Sequence, residues 1–122
     1  MSANGPDLFS IKQITHVGNI VRAKLGINAD SEILKGHFPG HPVVPGASML
    51  QLVKEVLEKA LRVKLHLKKA GYLKFMSLIE PGSSDVQLEI DYKQADGEYL
   101  VTSKLSAGET VCFKLQGAFA VV

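Results

Sequence analysis

The stretch Gly36-His37-Phe38-Pro39-Gly40-His41-Pro42-Val43-Val44-Pro45-Gly46 sets two imidazoles among three prolines and three glycines in eleven residues. Proline fixes φ and removes a backbone donor, and glycine weakens regular elements. Neither a helix nor a central strand tolerates this composition, so a stiff loop is expected. Imidazole has an ordinary pKa of about 6.5, which leaves much of it neutral and able to accept a proton near neutral pH. His37 and His41 lack a cysteine or a nearby carboxylate to complete a zinc shell, so no metal is expected. Cys112 lies among strand residues with no charged neighbour in sequence, and reads as a small core side chain rather than a nucleophile.

The elements that must hold this loop follow from periodicity. After Gly46, Met49, Leu50, Val53, Val56, Leu57, Ala60 and Leu61 recur at spacings of three and four, with Gln51, Glu55, Glu58 and Arg62 on the opposite stripe. This predicts one amphipathic helix over about 46–62. Residues 1–8 are small, polar and broken by Gly5-Pro6, and read as a frayed terminus. Alternation from Val17 to Ile27 predicts a half-buried strand, followed by a turn at 28–32 with Ser31 capping a short helical turn through Leu34. Residues 68–79 predict a strand stopping at Glu80-Pro81-Gly82. Val86, Leu88, Ile90 and Tyr92 alternate with polar partners, Ala95-Asp96-Gly97-Glu98 is a hairpin turn, and Tyr99 to Leu105 continues beyond it. A second turn at 106–109 leads into a last strand over 111–121. Short turns make an antiparallel sheet of five to six strands, α+β in class, whose apolar face one helix must cover.

Composition bounds the rest. The 122 residues, 46% hydrophobic and 21% charged, fit a single domain over 1–122 with a packed core. Fourteen Lys plus Arg against twelve Asp plus Glu give a formal +2, too small a bias to imply nucleic acid. One cysteine allows no internal disulfide, and no leading apolar stretch or membrane-length run is present, so a cytoplasmic protein away from membranes is expected.

The loop from His37 to Gly46 closely resembles the signature of bacterial 3-hydroxyacyl-acyl-carrier-protein dehydratases. A second stretch, Lys74-Phe75-Met76-Ser77-Leu78-Ile79-Glu80-Pro81-Gly82, looks like that family's basic-Phe strand ending in Pro-Gly. Both motifs fall in the family's order, over roughly residues 14–122. The resemblance implies the hotdog fold, in which a curved antiparallel sheet wraps one long central helix. It also implies roles. His37 would remove the proton next to a thioester carbonyl. The backbone N–H of Gly46 would polarise that carbonyl, as a helix N-terminus with its partial positive charge can. Phe38, Pro45, Phe75 and Met76 would line the acyl site. The family's third catalytic group is a Glu or Asp fourteen residues beyond the His; here that position is Gln51, whose carboxamide has no proton to give near neutral pH. Glu55 is the nearest carboxylate by helical spacing, about 5 to 6 Å farther along the axis. Plainer readings stand beside these: His37 as a residue that pins the loop, Gly46 as a helix cap, Gln51, Glu55 and Glu58 as a solvated face, Phe75 and Met76 as core.

The resemblance further implies a protein that eliminates water from a 3-hydroxyacyl thioester to give a trans-2-enoyl thioester, with no cofactor. Arg62, Lys64, Lys68, Lys69 and Lys74 resemble the basic surface such enzymes turn toward acidic acyl carrier protein, with acyl-CoA as the other carrier. In the family, two chains pair through their sheets, and each site takes its His from one and its acid from the other. A preserved His loop beside a lost acid therefore suggests one half of a heterodimer; a homodimer would hold His37 and Gln51 in both sites. A hotdog thioesterase and a non-catalytic acyl-thioester or carrier-protein binding subunit are the alternatives.

Overall fold

The computed structural model describes residues 9–28, 46–77, 79 and 85–122. Six strands and one helix follow in the order β1 (Phe9–Val17), β2 (Ile20–Ile27), α1 (Gly46–Leu61), β3 (Leu65–Phe75), β4 (Val86–Ala95), β5 (Glu98–Ala107) and β6 (Thr110–Val121). The strands form one antiparallel sheet in the order β1-β2-β4-β5-β6-β3. The helix therefore separates a hairpin at one edge from β3 at the other, and it touches both edge strands as well as β2 and β4. A single sheet that meets one helix at both edges must curl around it, which is the hotdog arrangement.

Alternation builds the inner face. Val86, Leu88 and Ile90 of β4, Val101 and Leu105 of β5, and Phe113, Leu115 and Phe119 of β6 are buried. They meet Met49, Leu52, Val53, Val56 and Leu57, the apolar stripe of α1. Asp96 and Gly97 turn from β4 into β5 with φ of 52° and 78°. Positive φ at both central positions suits the twist of the flanking strands. Cys112 is a buried free thiol whose Sγ approaches the Thr110 carbonyl at 3.5 Å.

Three expectations are corrected. The stretch from Val17 to Ile27 is a hairpin end rather than one strand: Val17 closes β1, Gly18 turns with φ 59°, and β2 begins at Ile20. β1 escaped notice because its register shifts between Ile11 and Gln13. That bulge moves the inner face from Phe9 and Ile11 to Ile14 and His16 and breaks the period of two. The predicted strand 68–79 lies at 65–75 instead, with two further shifts, between Leu67 and Lys69 and between Ala70 and Tyr72. Gly117 of β6 answers these bulges, since a Cβ there would meet the Lys69 carbonyl oxygen at 2.5 Å. The helix ends one residue early, because Arg62 turns left-handed at φ 58° while its N–H still bonds the Glu58 carbonyl at 2.8 Å. The frayed segment 1–8 and the predicted cap at Ser31 lie outside the described residues.

Candidate functional site

α1 starts at Gly46, where the Pro-rich loop ends. Its first four N–H groups have no partner within the helix, so any acceptor placed before the helix meets several donors. His37, Phe38 and Pro45, with His41, lie outside the described residues. The described part of the site is therefore the helix and what faces it.

Gln51, Lys54, Glu55, Glu58 and Lys59 follow one another at helical spacing and form the polar stripe of α1, with Arg62 just beyond its end. They line a groove of about 1080 Å³, closed on its other side by the starts of β1 and β3 and by Val122. Gln51 is half-buried, and its Nε2 donates to Oε1 of Glu55 at 3.4 Å. Glu55, also half-buried, thus shares both the groove and a hydrogen bond with Gln51.

Glu58 is not merely a solvated face. Its Oε2 accepts the N–H of Leu65 at 2.8 Å, while its own carbonyl takes the N–H groups of Arg62 and Val63. One residue therefore closes the helix and starts β3. Lys54 and Lys59 also line the groove, and their helical spacing from Gln51 is the signal the sequence holds for them.

The structure separates the basic cluster. Arg62 and Lys64 line the groove at the end of α1. Lys68 is bound to Glu98 at 2.8 Å. Lys69 and Lys74 stand on the outer face of β3, as their register partners Ala118 and Lys114 do on β6.

Phe75 and Met76 are not core residues here. They lie at the far end of β3 from Leu65 and are 52% and 38% exposed, with the Phe75 ring 5.1 Å from that of Phe113. Within one chain neither lines the groove that holds Gln51. Leu73, also on this stretch, is 43% exposed. One pair escaped sequence reasoning altogether: His16 Nε2 lies 2.7 Å from the Tyr92 hydroxyl, a contact between residues 76 apart that no local pattern announces. Among the described residues no three His, Cys, Asp or Glu side chains stand together as a metal site. No described helix is long and apolar enough to cross a membrane.

A sheet curled around one helix, with a polar groove along that helix, defines a hotdog protein. The chain belongs to the ApeI-like dehydratase family, whose profile matches residues 13–114, including both sequence motifs up to Gly82 and the Gln51 position. This supports the dehydratase resemblance at the level of hotdog dehydratases. Among solved structures, the dehydratase heterocomplex ApeI:P from Xenorhabdus doucetiae shares the fold at a TM-score of 0.79 and 16% identity, covering 91% of this chain and 96% of that one. A hypothetical thioesterase protein with coenzyme A from Streptococcus pneumoniae gives 0.61 and 10%, over 93% and 85%. Uncharacterized protein PH1136 from Pyrococcus horikoshii gives 0.70 and 15%, over 95% and 84%.

Proposed function

We propose that this chain is one subunit of a dehydratase acting on 3-hydroxyacyl thioesters, which supplies His37 and the N–H of Gly46 to a site whose acid comes from a related hotdog chain. The observation that carries the reading is Gln51, a carboxamide in the helix groove where the reaction needs a carboxylic acid. In the elimination, His37 takes the proton on the carbon next to the thioester carbonyl. The electron pair moves onto the carbonyl oxygen, stabilised by N–H donors at the start of α1, then forms the double bond as hydroxide leaves C3. The acid of the partner protonates that hydroxide to water. Gln51 keeps the polar shape of the acid position and lacks its proton.

The carrier's anionic part fits the groove, where Lys54, Lys59, Arg62 and Lys64 outnumber Glu55 and Glu58. Support for a two-chain unit is the similarity in fold to a dehydratase heterocomplex. The test is an assay of water loss from 3-hydroxyacyl thioesters by the chain alone and with related hotdog dehydratase chains carrying Glu or Asp at the corresponding position. Turnover that needs both the partner and His37 is the expected result; robust His37-dependent turnover by the chain alone overturns the half-site reading.

A second reading rests on the Gln51–Glu55 hydrogen bond. If Gln51 orients Glu55 as the acid, a homodimer suffices, and Glu55→Ala removes all activity of the isolated chain. Release of free thiol from an acyl thioester would mark a thioesterase instead.

A further inference from the structure

β3 is an edge strand that carries contradictory signals. On its inner face Leu73 and Phe75 are 43% and 52% exposed, with Met76 just beyond at 38%. Apolar surface at an open edge favours covering by another chain. On its outer face it carries Lys69 and Lys74, and the whole strand from Leu65 to Phe75 has no acidic residue. Lysines on an edge oppose pairing with another strand.

The positive charge does not stop at the edge. Lys74 lies in register with Lys114 of β6, and Lys114 with Lys104 of β5, so three lysines stand side by side across three strands. Like charges directly opposite one another are destabilising. The one acid in register, Glu89 of β4, already binds Arg22 at 3.0 Å and lies 3.9 Å from Lys104. Among the described residues, Lys69, Lys74 and Lys114 have no acidic partner.

Pairing β3 with a second copy of itself would make this worse. With a two-fold axis between Gly71 and Tyr72, Lys69 faces Lys74 of the second copy and adds a fourth lysine to the row. A partner strand with Glu or Asp at the facing outer positions would relieve both the repulsion and the exposed apolar side.

We infer that the lysines of β3 make this edge selective: it accepts a hotdog chain with an acidic outer edge strand and rejects its own copy. The inference rests on the two-chain reading above and names the partner chemistry within it. It requires no turnover measurement, so failure here leaves the dehydratase reading in place, and loss of that reading leaves the pairing result in place.

The test uses the chain as its own partner. A Lys69→Glu/Lys74→Glu variant is mixed with the unmodified chain, and the species are quantified by native mass spectrometry and sedimentation equilibrium. The mixed dimer should form at least about tenfold more tightly than the unmodified homodimer. Raising salt from about 50 mM to about 500 mM should weaken the mixed dimer and strengthen the homodimer, because screening acts on attraction in one and repulsion in the other. A neutral Lys69→Gln/Lys74→Gln variant should self-associate more tightly than the unmodified chain, which keeps the inference testable if the reversed variant folds poorly. Equal affinities, a homodimer that weakens with salt, or no association in any combination overturns it.

Discussion

Gln51 Nε2 donates a hydrogen bond to Glu55 Oε1 across 3.4 Å on the polar stripe of α1. The amide leans on a carboxylate one turn farther along, and in the proposed site it takes the place of the acid. Restoring the acid should restore the proton donor. Gln51→Glu is expected to raise dehydration by the isolated chain by about 10²-fold or more, the usual contribution of a positioned general acid. Assays of double-bond formation at low and raised salt check this. If Gln51→Glu changes nothing while Glu55→Ala abolishes activity, Glu55 is the acid.

Glu58 ties the end of the helix to the start of β3 through the Leu65 N–H. Leu65 is buried, so losing this acceptor strands a donor. Glu58→Ala should cost about 1.5–3 kcal/mol, the range for a hydrogen bond to a charged group. Thermal unfolding followed by circular dichroism reads this as a drop of roughly 6–12 °C for a domain this size. Glu58→Gln, which keeps an acceptor oxygen, should recover part of the loss; an unchanged Glu58→Ala melt removes the cap role.

Gly117 leaves room for the bulged backbone of β3, whose Lys69 oxygen a Cβ would meet at 2.5 Å. A backbone atom cannot step aside as a side-chain tip does. Gly117→Ala should destabilise by about 1–3 kcal/mol, as for other overpacked sites. By contrast Gly26→Ala meets the Ser10 hydroxyl and the Lys12 chain, which can rotate, so its denaturant midpoint should move less. Equal midpoints for the two variants contradict the close-approach argument.

Phe75 rests on Phe113 with half its surface open. If that surface packs on a second chain, Phe75→Asp should weaken association at least about tenfold, since truncating a buried aromatic anchor typically costs 2 kcal/mol or more. The monomer's unfolding midpoint should change little. A lowered unfolding midpoint with association unchanged would make Phe75 an internal core residue.

How much of this the sequence disclosed depends on how regular each element is. β4, β5 and β6 alternate cleanly apart from a single late shift, and the Asp96-Gly97 turn needs positive φ, so both were legible. α1 has an unbroken apolar stripe, and only the left-handed turn of Arg62 was missed. β1 and β3 each contain bulges, which cancel the period that sequence reading relies on. The candidate site rests on residue types, a His loop and an amide at position 51, read through family likeness, and the loop lies outside the described residues. Contacts such as Glu58 with Leu65 or His16 with Tyr92 depend on how the chain returns, and the helical pattern alone reads Glu58 as solvated.

The central claim is that base and acid must come from different chains, with this chain lacking the acid. A His37→Ala/Gln51→Glu variant lacks the base and carries the acid, so a hybrid dimer with the unmodified chain contains one complete site. Water loss from a 3-hydroxyacyl thioester is measured for each protein alone and for their mixture, in raised salt. The account predicts that both are inactive alone and that the mixture turns over, saturating as hybrid dimers accumulate. Full activity of the unmodified chain alone, or a mixture as inactive as its parts while hybrid dimers are present, would contradict it.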